Sequence, residues 1–209
     1  MEKNVLKRYR YEIIIFIADA ICMILELIAS RLLSPYFGSS NIVWTSVIGI
    51  ILLSSSIGNY LGGKIADKNN IEKNLKFILM ATSIFIIIIP FLQNNILTII
   101  SKYIENIKIG AIISTIFLFF IPSLGMGLLT PIILRLKLNN MQTAGKTTGT
   151  INAISTIGGI TGTFLGGFLL IPNLGSINIL LILVILLVWL IPLVNFKLKE
   201  KSTIIVVII

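Results

Sequence analysis

Six separate runs of eighteen or more mostly apolar residues constrain this chain more strongly than any other feature of its sequence. As a helix, each run is long enough to cross the ~30 Å hydrocarbon layer of a bilayer. No water reaches the backbone there, so each crossing segment must satisfy its own N–H and C=O groups, which a helix does and a lone strand does not. The runs are Ile13–Leu33, Ile42–Gly62, Leu75–Leu92, Ile109–Leu134, Thr148–Ile171 and Ile177–Phe196. The expected fold is therefore an all-α integral membrane protein, a six-helix transmembrane bundle forming one domain. Composition agrees: 12% of the 209 residues are charged, where a soluble domain carries roughly 25%, and the mean hydropathy is +1.02.

The N-terminus superficially resembles a secretory signal, with Lys3, Lys7, Arg8 and Arg10 before an apolar stretch. That stretch is too long for a signal core, contains Asp19 and Glu26, and is followed by further spans, so it is expected to remain. Between Asn95 and Lys108 the residues Ile96, Ile100, Tyr103 and Ile107 recur at helical spacing. This fits a short amphipathic helix in the interface or an extension of the third span past Pro90. The apolar tail Thr203–Ile209 is too short to span as a helix.

The formal charge is +9, but the basic residues lie in short clusters between apolar runs, and no nucleic-acid module accompanies them. They act instead as orientation signals. Lys3, Lys7, Arg8 and Arg10 precede span one; Lys64, Lys68, Lys73 and Lys76 follow span two. Arg135, Lys137 and Lys146 follow span four, and Lys197, Lys199 and Lys201 follow span six. With six spans all of these share one side, leaving only Arg31, Lys102 and Lys108 on the other. The expectation is both ends in the cytoplasm of a prokaryotic cell, with the chain in its plasma membrane.

The chain has one cysteine, Cys22, and no histidine. That excludes an internal disulfide, a His- or multi-Cys metal site, and Ser-His or Cys-His catalysis. No enzyme activity and no cofactor are expected.

Carboxylates inside the first span carry the chemistry. Glu12, Asp19 and Glu26 are spaced seven apart, so they share a helix face with a drift of only ~20° per step. A mid-membrane carboxylate costs roughly 2.5–3.5 kcal/mol on insertion scales. The helix must therefore find partner helices, water or protons for its acids. A solute or ion path through Asp19, Glu26 and Arg31 is one reading. The other is structural: Glu26 pairs with Arg31 or a neighbouring helix, and Asp19 accepts from a Ser, Thr or Asn.

Glycines form a second pattern. Gly58-Asn-Tyr-Leu-Gly62-Gly63 in span two is echoed by Gly162-Thr-Phe-Leu-Gly166-Gly167 in span five, 104 residues later. Those spans run in opposite directions, as a 3+3 inverted repeat requires. Gly158, Gly162 and Gly166 line one face and, with Gly58 and Gly167, mark close helix packing, within the chain or across a homodimer seam.

The loop Gly62-Gly63-Lys64-Ile-Ala-Asp67-Lys68 resembles the signature after the second helix of major facilitator transporters, although its Gly-Arg-Lys end is absent. Within this loop of Gly62, Gly63, Asp67 and Lys68, Asp67 stands next to Lys64 and Lys68 at a cytoplasmic helix end, which reads either as a gate latch or as a solvated interfacial loop. A broader likeness covers nearly the whole chain. Glu26-Leu-Ile-Ala-Ser-Arg31, Pro35-Tyr-Phe-Gly38, Trp44, the Gly-Gly-x-x-Ala-Asp loop, Gly125-Met-Gly-Leu-Leu-Thr-Pro131 and Gly162 to Pro172 resemble the membrane half of fused facilitator/spermidine-synthase proteins. The resemblance implies a half-facilitator fold and a polyamine connection. It does not transfer aminopropyltransferase activity, because no glycine-rich nucleotide loop after a strand is present. Two functions follow as expectations. One is transport of a small, cationic or proton-coupled solute, with a homodimer completing twelve helices. The other is a membrane anchor for a separately encoded aminopropyltransferase-like partner.

Overall fold

The computed structural model describes residues 2–138 and 141–194, which fold into six long helices. They are α1 (Glu2–Phe37), α2 (Asn41–Ala66), α3 (Ile71–Tyr103), α4 (Ile107–Lys137), α5 (Ala144–Asn173) and α6 (Ser176–Val194). All six are long and apolar enough to cross a membrane, and the chain is a multi-pass membrane protein. Phe196, Lys197, Lys199, Lys201 and the tail Thr203–Ile209 lie outside the described residues.

Local chemistry sets the turns. Gly38 ends α1 with φ of +80°, a left-handed conformation that costs glycine nothing. Asn70 takes φ of +64° between α2 and α3, a conformation asparagine tolerates better than most side chains. At the start of α4 the Asn106 side chain accepts from the Lys108 and Ile109 N–H groups at 3.0 and 3.4 Å, satisfying two otherwise free donors.

Several expected boundaries move outward. The segment after Pro90 is no separate interfacial helix: α3 runs unbroken to Tyr103, burying Gln93, Leu97 and Ile100 on the same stripe as Ile86 and Ile89. Continuing the stripe keeps the backbone bonds of the helix and buries apolar surface, which a detached helix would forgo. Gly62 and Gly63 are not in a loop either. They are helical residues of α2, which continues to Ala66 because Gly62 rests on the α4 backbone at Leu128. Pro122 and Pro131 sit inside the continuous α4. A π-helical turn, Leu165–Leu170, interrupts α5.

Packing pairs α2 with α4, α1 with α5, and α3 with both α4 and α6. Within α2, Ser54 donates to the Phe120 carbonyl of α4, and Gly58 and Gly62 lie against Leu124 and Leu128. Within α5, Gly158, Gly162 and Gly166 lie against Phe16, Ala20 and Ile24 of α1. A Cβ at Gly58, Gly158 or Gly162 would collide with neighbouring backbone. Glycine thus lets helix backbones touch where lipid supplies no hydrophobic drive for association. Gly167, expected in the same seam, faces open space as Gly63 does in α2, because a helix turns about 100° from one residue to the next. The glycine seam is internal to the chain and is not available to a second copy.

Candidate intramembrane site

The heptad spacing on α1 holds the three acids on one face, and each meets a different fate. Glu12, at the basic end of the bundle, pairs with Lys137 of α4 at 2.5 Å. Asp19, one heptad deeper, accepts from Ser155 Oγ of α5 at 2.5 Å. Glu26 lies about 10 Å further along the axis; its carbonyl accepts from Ser30 Oγ, but its carboxylate has no hydrogen-bond or ion-pair partner among the described residues. Cys22 lies between Asp19 and Glu26 and meets Ser55 of α2.

Arg31 is not brought to Glu26. It donates instead to the Ile171 carbonyl of α5, beyond the π turn and next to Pro172, which lacks an N–H. Of the alternatives left open for Glu26, the pair with Arg31 does not form, because five residues place the two side chains on different faces of α1. Asp19 does follow the expected pattern of accepting from a serine on a neighbouring helix.

The strip of α1 holding Asp19, Cys22, Met23 and Glu26 is half-buried, flanked by α2 through Ser55 and by α5 through Ser155 and Gly159. Beyond Ser55 the exposed side of α2 carries Ser56 and Asn59. Beyond Ser155 that of α5 carries Asn152, Thr156 and Thr163. Thr156 and Thr163 each donate to the carbonyl four residues earlier, so their acceptor lone pairs remain outward. The result is a polar strip at membrane depth, two carboxylates at its centre, with no helix of the described residues over it. Among the described residues no three His, Cys, Asp or Glu side chains gather as metal ligands.

Asp67, Lys68, Asn69, Asn70, Lys73 and Arg135 line a polar depression of about 610 Å³ at the basic end. Asp67 makes no ion pair among the described residues, so the expected latch with Lys64 or Lys68 is absent. A polar tie between helices stands elsewhere at this end, at residues not singled out from the sequence. Arg10 of α1 pairs with Glu72 of α3 at 2.8 Å and donates to the Val194 carbonyl of α6 at 3.0 Å. Tyr11 Oη also donates to Glu72 at 2.7 Å. This cluster ties three helices together at the basic end. Arg10 reads in sequence as one of four orientation charges; the isolated acid in the first turn of α3 was the only available signal.

Comparison with protein-family models, curated proteins and solved structures finds no match to this chain.

Proposed function

We propose that this multi-pass membrane protein is one half of a symmetric transporter that moves a small cationic or proton-coupled solute past Asp19 and Glu26. The observation that carries the reading is the uncovered polar strip of α1, α2 and α5 with these two acids at its centre. Acids at membrane depth are costly, and they line ion and solute paths when they face an interior rather than lipid. A second copy laid over the strip would convert an exposed face into such an interior, with a closed two-fold arrangement.

A contact pattern that recurs 104 positions apart, as a 3+3 inverted repeat would have it, supports this half-transporter reading. Ser54 on Phe120, Gly58 on Leu124 and Gly62 on Leu128 recur as Gly158 on Phe16, Gly162 on Ala20 and Gly166 on Ile24, with every residue displaced by 104 positions. The same displacement carries buried Leu75, Leu79, Ile86 and Ile89 of α3 onto buried Ile179, Leu183, Leu190 and Leu193 of α6. It also carries Asp19 onto Ser123 and Glu26 onto Thr130. The scaffold thus repeats while the acids do not, which argues that packing does not require them. The resemblance to facilitator/spermidine-synthase proteins makes polyamines the first solutes to test, and a chain of spaced ammonium groups suits carboxylates about 10 Å apart.

The test is uptake into proteoliposomes from a panel of polyamines and amino acids, comparing the wild type with Asp19→Asn and Glu26→Gln. Solute-specific flux that falls at least about tenfold in either variant supports the acids' role, since losing a charged contact of ~1.4 kcal/mol has that effect. Specific flux unchanged in both variants removes the acids from the path, and no flux for any solute removes the transport reading.

A further inference from the structure

A second cavity lies away from the acid strip, where α2, α3 and α4 meet near the basic end. It measures about 350 Å³, and its walls are apolar: Phe77, Ala81 and Phe85 from α3, with Ile121 and Leu124 from α4. At its floor Gly125 of α4 lets Thr82 of α3 pack directly onto the helix, the threonine side chain standing where a Cβ would be. Phe77 is 72% exposed and Ile121 is 48% exposed, so the groove opens sideways to the surroundings of the bundle. Such a lining gives water too few partners to hold it. At one mouth stand the polar side chains of Lys68 and Asn74. Lys68 is exposed, and its ammonium group has no hydrogen-bond or ion-pair partner among the described residues.

We propose that this groove is a binding site for an anionic phospholipid, one acyl chain lying along Phe77, Ala81, Phe85 and Ile121 and the phosphate meeting Lys68. Charge complementarity selects the headgroup. Lys68 also lines the neighbouring polar depression with Lys73 and Arg135, against Asp67 and Glu72. Lys64 and Lys76 lie near the same ends of α2 and α3, with Glu12 on α1. Glu72 is engaged with Arg10 and Glu12 with Lys137, which leaves this end strongly positive. Basic pockets between transmembrane helices at the headgroup level bind anionic lipids in this way. The lysine stem can follow the apolar wall while its ammonium stays at the interface. The site is independent of the transport reading, since it shares no residue with the acid strip.

Native mass spectrometry of the purified full chain, supplied with equal phosphatidylglycerol and phosphatidylcholine, tests the site. Phosphatidylglycerol should be retained preferentially, and Lys68→Ala should lower that preference about fivefold, as one basic contact near a membrane surface implies. Ala81→Trp, or Ile121→Trp at the exposed rim should the first variant fail to fold, should release lipid of either headgroup. Excess inorganic phosphate should leave the lipid bound, because the acyl chain anchors it. Equal retention of the two lipids by the wild type, an undiminished preference in Lys68→Ala, lipid retained when the groove is filled, or displacement by phosphate would each overturn the proposal.

Discussion

Ser155 Oγ on α5 donates to Asp19 Oδ2 on α1, joining the two helices at membrane depth. The contact lies one turn from Gly158, whose missing side chain brings α5 onto the α1 backbone at Phe16. Close backbone approach and polar contact thus support each other: the glycine sets the distance at which a short serine reaches a short aspartate.

Ser155→Ala should destabilise the bundle by about 0.6 kcal/mol and by no more than ~1.7, the range measured for polar contacts between transmembrane helices. Asp19→Asn keeps an acceptor for the same hydroxyl and should cost less than Ser155→Ala. Reversible unfolding in mixed micelles, followed by tryptophan fluorescence, measures both. A larger loss in Asp19→Asn would mean that charge, not the hydrogen bond, holds the pair.

Gly162→Val and Gly58→Val should each cost ~1–3 kcal/mol or prevent folding, as expected when a side chain is forced into a filled contact. Gly167→Val, facing open space, should remain within about 1 kcal/mol of the wild type, the glycine-to-side-chain difference in a helix. The midpoint of thermal unfolding in detergent distinguishes them. Equal losses at Gly162 and Gly167 would contradict the α1–α5 seam.

The two ion pairs at the basic end should differ in strength. Arg10–Glu72 has side chains 18% and 38% exposed, and Lys137–Glu12 24% and 15%. Double-mutant cycles should give coupling of under ~1 kcal/mol for the wetter pair and a greater value for Lys137–Glu12, whose less exposed carboxylate loses more when left alone. Raising the salt concentration should weaken Arg10–Glu72 more.

Orientation is testable on a Cys22→Ser background. Asn70→Cys, at the basic end, should resist a membrane-impermeant thiol reagent added outside intact cells, whereas Glu105→Cys, in the turn between α3 and α4, should react. The reverse pattern would turn the whole bundle over without changing its packing.

The spans were legible because lipid imposes one rule on every crossing segment, and apolar runs of that length leave little choice. The inward and outward faces were partly legible from glycine spacing: Gly58, Gly158, Gly162 and Gly166 all pack where a close helix contact was expected. Helix ends were less so. Span two reads as ending at Gly62, with the facilitator-like stretch to Lys68 as a loop, yet α2 continues through Gly63 to Ala66, with Gly62 resting on α4 at Leu128. The spacing of Glu26 and Arg31 is poor for a pair within one helix and pointed to a partner on another helix, but not to which one; for Arg31 it is the Ile171 carbonyl of α5.

The order of apolar runs and basic clusters was enough to give six crossings, a common basic end and the line of acids on α1, since helix periodicity and bilayer thickness act on each segment separately. Tertiary structure decided which helix each face meets: Ser155 for Asp19, Lys137 for Glu12, the Ile171 carbonyl for Arg31, and none among the described residues for Glu26. A repeat of 3.6 residues specifies that a helix has a face to bury. The neighbour that fills it depends on the shapes of all the helices together, and a single segment does not encode that.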